Sequence, residues 1–136
     1  MKFNLKTVVA VILGLIAYSI AYTVSKSFFQ PKIEDQIVQM CDAMNRKLPM
    51  MVDKETRWDS TSPGMGKEFT YRYTLINREL ERMDVTSFKK IIEPQITNGA
   101  KTSPTMKKDF LDRGIRVKYN YSDRNRKFIY EVVVEP

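Results

Sequence analysis

The sequence predicts an α+β protein. An N-terminal transmembrane helix in residues 1–25 is followed, over residues 26–136, by a small domain with a four-stranded, mainly antiparallel sheet packed on helices in the order α-β-β-α-α-β-β. Three observations predict it. The run that opens at Thr7 and closes at Val24 carries no charge. Apolar residues in later stretches recur every three or four positions, the helical period. Four further stretches alternate apolar and polar residues, the strand period.

The uncharged run sits behind Lys2 and Lys6. At about 1.5 Å per residue it makes roughly 25 Å of helix, and interfacial flanks are needed to span a hydrocarbon core of about 30 Å. Tyr18, Tyr22, Phe28 and Phe29 suit the headgroup level, and Lys6 and Lys26 have stems long enough to snorkel. This reads as a signal-anchor that attaches the chain to the membrane through Thr7 to Val24. Ala21 and Thr23, small residues two apart, keep a second reading open, secretion after signal cleavage. A short N-terminal tail stays in the cytoplasm while a long C-terminal part crosses, so the domain is expected in the periplasm of a single-pass inner-membrane protein.

The first domain helix is expected to begin after Pro31, with Glu34 and Asp35 at its positive end and an apolar stripe of Ile33, Ile37, Met40, Cys41, Met44 and Leu48, and to stop before Pro49. Residues 50–60 alternate as one strand, with Val52, Thr56 and Trp58 on one side and Asp53, Glu55, Arg57 and Asp59 on the other. Residues 61–66 turn the chain, and Phe69, Tyr71, Tyr73 and Leu75 then alternate in a second strand that completes a hairpin. Asp84 caps a helix with Val85, Phe88, Ile91, Ile92 and Ile96, which is expected to kink or stop near Glu93 because of Pro94 and to end at Asn98 and Gly99. Ser103, Pro104 and Gly114 occupy the cap, first-turn and terminal positions of a short helix. Ile115, Val117, Tyr119 and Tyr121, a turn at residues 122–126, and Phe128, Tyr130, Val132 and Val134 form the last hairpin.

The chemistry is as informative for what it lacks. The chain has no histidine and one cysteine, which removes the usual neutral-pH base, the histidine-paired nucleophiles and ordinary zinc sites. No intramolecular disulfide can form, and the spacing of Cys41 places it on the apolar helix face as a buried thiol, or else in an intermolecular disulfide. No glycine-rich phosphate loop occurs, and no cofactor or metal is expected. Asp53, Glu55 and Asp59 are the remaining acid cluster; a carboxylate pair serves glycoside hydrolysis, but the interleaved Lys54 and Arg57 make a solvated strand face the stronger reading. Basic and aromatic residues interleave at Tyr71-Arg72-Tyr73 and Lys118-Tyr119-Asn120-Tyr121, as on single-strand nucleic-acid platforms. Behind an export segment they read instead as buried tyrosines between exposed polar residues, and no nucleic acid is expected as a partner. Beyond the leader, 21 basic residues face 16 acidic ones, a mild surplus spread along the chain.

Leu48-Pro49-Met50-Met51-Val52-Asp53-Lys54-Glu55-Thr56-Arg57-Trp58-Asp59-Ser60, followed by Tyr71-Arg72-Tyr73-Thr74-Leu75, resembles a family of small exported or membrane-anchored bacterial proteins of uncharacterised function. In that family a cysteine near the place of Cys41 often has a mate after the middle helix. Here that neighbourhood reads Asn98-Gly99-Ala100-Lys101-Thr102, so the bridge is missing. The resemblance implies no catalytic residues. The functional expectation is a non-catalytic envelope protein that binds another envelope protein as an accessory or assembly factor, with Arg57, Trp58 and Asp59 as candidate contacts, since Trp and Arg dominate interfaces. Two alternatives stand beside it: an inhibitor or immunity-type protein acting on an envelope enzyme or phage factor, and a hydrolase that uses only carboxylates. Trp58 also has a purely structural reading, packing in the core.

Overall fold

The computed structural model describes residues 31–136, so the leader and its expected spanning helix lie outside the described residues. Among the described residues no helix is long and apolar enough to cross a membrane. The elements in chain order are α1 (Ile33–Asn45), β1 (Met50–Met51), β2 (Thr56–Pro63), β3 (Glu68–Leu75), α2 (Val85–Thr102), α3 (Pro104–Asp109), β4 (Arg116–Ser122) and β5 (Phe128–Val134), with 3₁₀ turns at Leu80–Arg82 and Leu111–Arg113.

The sheet has five strands rather than the expected four, in the order β1-β2-β3-β4-β5. The additional strand comes from a turn hidden in residues 50–60. The Asp53 carboxylate accepts hydrogen bonds from the backbone N–H of Glu55 at 2.8 Å and of Thr56 at 2.7 Å, and the Val52 N–H donates to the Thr56 carbonyl at 3.0 Å. An aspartate side chain that binds its own backbone a few residues on makes a tight turn. The single strand expected there therefore folds back on itself, pairing Met50 with Trp58 and Met51 with Arg57.

Pairing is antiparallel except at the centre, where β3 and β4 run parallel. A parallel pair needs a crossover, which α2 and α3 supply. The register aligns Phe69 with Val117, Tyr71 with Tyr119 and Tyr73 with Tyr121, and β5 continues these rows with Val134, Val132 and Tyr130. Period-two alternation sends these residues to one face. All three helices pack there: the Thr61 hydroxyl donates to the Cys41 carbonyl of α1, the Phe88 ring of α2 lies 5.5 Å from Tyr121, and Phe110 at the end of α3 lies 5.1 Å from Phe69. Phe69, Ile115, Val117, Ile37 and Cys41 form the middle of this core. The stripe read on α1 is thus the face that docks, with Ile37 and Cys41 fully covered.

Both predicted caps are present. Asp84 accepts from the Ser87 N–H at 3.0 Å, and Ser103 accepts from the Met106 N–H at 3.3 Å. Gly114 closes the following turn at φ +74°, where a side chain would be strained. The expected interruption of α2 does not occur, because the helix runs through both Pro94 and Gly99. Val85, Phe88, Ile92 and Ile96, partly buried, and Ala100, fully buried, keep one face packed on the core along its length, and that packing offsets the lost backbone bond. Ile91, expected on that stripe, is 66% exposed.

Candidate functional site

No described helix covers the second face of the sheet. It presents Arg57 and Ser62 of β2, Thr70, Arg72 and Thr74 of β3, Lys118, Asn120 and Ser122 of β4, and Glu131 and Val133 of β5, all fixed by the register. One half is a closed set of ion pairs: Glu68 holds Lys118 at 3.0 Å and Arg116 at 3.8 Å, and Arg116 also reaches Glu135 at 3.0 Å. The other half forms an open groove of about 610 Å³, lined by Pro49, Arg57, Asp59, Ser60, Arg72, Tyr73, Thr74, Asn120, Ser122 and Arg126.

A bulge builds the groove. The β2–β3 register shifts between Trp58 and Ser60, so Trp58 faces Tyr73 and Ser60 faces Arg72, with Asp59 as the extra residue. Bulges re-aim side chains in this way. Both Asp59 and Ser60 line the groove as a result. The Asp59 carboxylate accepts from the Arg57 Nε at 2.5 Å and, on its other oxygen, from the Thr74 hydroxyl at 2.5 Å. Thr74 is only 4% exposed, so its hydroxyl depends on that acceptor.

The three residues picked out as contacts are therefore divided. Arg57 and Asp59 stand together in the groove, whereas Trp58 points to the helix side, with its ring 5.4 Å from Tyr71 and 6.4 Å from Tyr73, and its indole N–H donating to the Ser60 carbonyl at 3.2 Å. The acid cluster is divided too. Asp53 is spent in the turn, where hydrogen bonds from the backbone N–H groups of Glu55 and Thr56 lower its pKa, and Glu55 reaches Arg78 at 3.5 Å. Both line a second cavity of about 450 Å³ beside Phe88, Ile92 and Tyr121, on the side of the sheet away from Asp59. Among the described residues no group of three acidic or cysteine side chains is placed to hold a metal ion.

The aromatic rows serve the core. Tyr71 stacks on Tyr119 at 5.1 Å and Tyr73 on Tyr121 at 5.3 Å, and burial pushes the Tyr119 and Tyr121 hydroxyls up to about 12 and those of Tyr71 and Tyr73 higher still. Their rings lie under the helices while Arg72 and Lys118 emerge on the opposite face, which is the alternation read in the sequence.

Sequence reasoning met Arg72 and Asn120 only within the interleaved basic and aromatic pattern that it set aside, and it did not single out Arg126. The first two were legible as polar positions of alternating strands, but their adjacency depends on the parallel β3–β4 register. Arg126 does carry a mark, since it adopts φ +65°, the left-handed region that favours glycine.

Residues 32–130 match the family described as Domain of unknown function (DUF8479). No curated protein matches the chain in sequence. Two solved structures share its fold. One is a protein of Pseudomonas aeruginosa inferred to be secreted, at 11% identity and a TM-score of 0.59, covering 78% of this chain and 95% of that one. The other is a pilotin of the Vibrio vulnificus type 2 secretion system, at 10% identity and a TM-score of 0.60, covering 76% of this chain and 88% of that one. At these identities the likeness is one of fold. The family match spans well over half of the sequence, and the chain belongs to the DUF8479 family.

Proposed function

We propose that this chain is an exported, non-catalytic accessory protein that binds another envelope protein on the uncovered face of its sheet, with Arg57 and Asp59 at the contact. The observation that carries the reading is the asymmetry of the sheet. Among the described residues one face is sealed by three helices, while the other is open, polar and recessed around a bulge that aims two side chains into the recess. The uncharged N-terminal run supports export. The fold shared with a pilotin and with a protein inferred to be secreted fits an accessory role outside the cytoplasm. Trp58 acts in this scheme as the packed support of β2, not as a contact.

Photocrosslinking in intact cells tests the proposal. A photoreactive residue in place of Ser60, in the groove, is expected to yield one dominant adduct with an envelope protein, whereas the same residue in place of the exposed Lys90 on α2 is expected to yield none. An adduct from Lys90 alone would place the contact on the helix side and overturn the reading.

A further inference from the structure

The groove carries three guanidinium groups and one carboxylate. Arg57 is neutralised by Asp59. Arg72 donates only to the Ser62 hydroxyl, at 2.9 Å, and neither Arg72 nor Arg126 has a carboxylate within ion-pair range among the described residues. Both side chains are exposed. Arg126 is held there against local strain, because φ +65° disfavours a side chain and glycine would adopt it freely. On the edge strand β1, Met51 is 48% exposed, a large apolar side chain left open to solvent. Met51 pairs with Arg57 and so shares the face of the groove. Methionines are adaptable contacts at binding surfaces.

We propose that the groove takes an acidic, partly apolar peptide segment of the partner, its carboxylates on Arg72 and Arg126 and an apolar side chain on Met51. This rests on the reading of the uncovered face as a protein-binding surface and adds the chemistry of the occupant. Charge complementarity selects an anion, since arginine forks suit carboxylates. The rest of the lining selects a peptide over a lipid headgroup. Asp59, Asn120, Ser60 and Ser122 offer acceptors as well as donors, which match the N–H and C=O groups of a peptide, while a phosphate headgroup brings acceptors to the same wall.

The test is fluorescence anisotropy with the full chain in a non-ionic detergent and a labelled twelve-residue peptide that alternates glutamate with leucine. The acidic peptide is expected to bind, to weaken as salt is raised, and to lose about tenfold or more in affinity with the Arg72→Gln, Arg126→Gly double variant. The same peptide with lysine for glutamate is expected not to bind. Arg126→Gly alone is expected to raise the melting temperature, so its loss of affinity cannot arise from unfolding. Unchanged affinity in the double variant would overturn the proposal. So would displacement of bound peptide by short-chain phosphatidylglycerol at lower concentration than by unlabelled peptide, which would assign the site to a headgroup. Failure of the acidic peptide with the Ser60 adduct retained would remove this inference alone, whereas loss of that adduct would remove the reading beneath it.

Discussion

Asp59 is the residue whose removal says most about how the groove is built. In Asp59→Ala the Arg57 guanidinium loses its ion pair and the Thr74 hydroxyl loses its acceptor. The two losses differ in weight. The side chains of Arg57 and Asp59 are about a third exposed, 39% and 31%, so solvent screening holds that pair to about 0.5 kcal/mol. The Thr74 hydroxyl is buried, and a hydrogen bond to a charged acceptor is worth about 1.5–3 kcal/mol. The variant should therefore lose about 2–3 kcal/mol, roughly 10 °C or more in melting temperature for a domain of this size. Urea unfolding followed by Trp58 emission measures it, since the only tryptophan lies next to the bulge. Thr74→Val removes the dependent hydroxyl instead, so the double variant should fall short of the sum of the single losses by about 1 kcal/mol. A loss below about 0.5 kcal/mol for Asp59→Ala, or strict additivity with Thr74→Val, would refute the bulge network. Asp59→Asn adds a functional arm: it releases Arg57 and should tighten binding of the acidic peptide.

Three further outcomes follow from other parts of the molecule. Arg126→Gly should stabilise the domain by about 1 kcal/mol in urea unfolding, since it relieves a left-handed side chain; a loss of stability would show that Arg126 holds the turn by contacts. Asp123 is fully buried, which opposes its charge, yet the backbone N–H groups of Leu80, Lys127 and Asn125 outweigh that burial and hold its pKa below the usual range. Its stabilisation is therefore complete above about pH 4 and lost as pH falls through the depressed folded value; Asp123→Asn should lower stability at pH 7 and flatten the acid limb, and an unchanged limb would contradict this. The Cys41 thiol is pushed up by burial, so iodoacetamide at pH 8 should label it slowly in the native protein and rapidly in urea, and fast native labelling would contradict its place in the core.

The parts of the fold that were legible are those with local causes. The α1 stripe through Ile37 and Cys41, the Asp84 and Ser103 caps and the Gly114 stop each depend on residues within a turn or two of one another. The alternation of Phe69, Tyr71, Val117 and Tyr119 likewise marked the buried face. The errors came where a side chain or a distant element decided. Asp53 turned one expected strand into two by binding its own backbone, and packing against the core carried α2 through Pro94. For the site, period two already placed Arg57 and Asp59 on one side of β2. It could not foresee the bulge that brings Ser60 to the same groove, nor the parallel pairing that sets Arg72 beside Asn120. Trp58 attracted attention by its type, yet its ring belongs to the tyrosine rows under the helices.

Backbone amide shifts of the isotopically labelled chain, followed by NMR while the glutamate–leucine peptide is added, give the most direct test that the uncovered face is the binding surface. The account predicts that the amides of Ser60, Arg72, Thr74 and Asn120 move together and saturate, while those of Phe88 and Ile92 on α2 stay still. Shifts confined to Phe88, Ile92 and the cavity beside Tyr121 would contradict it.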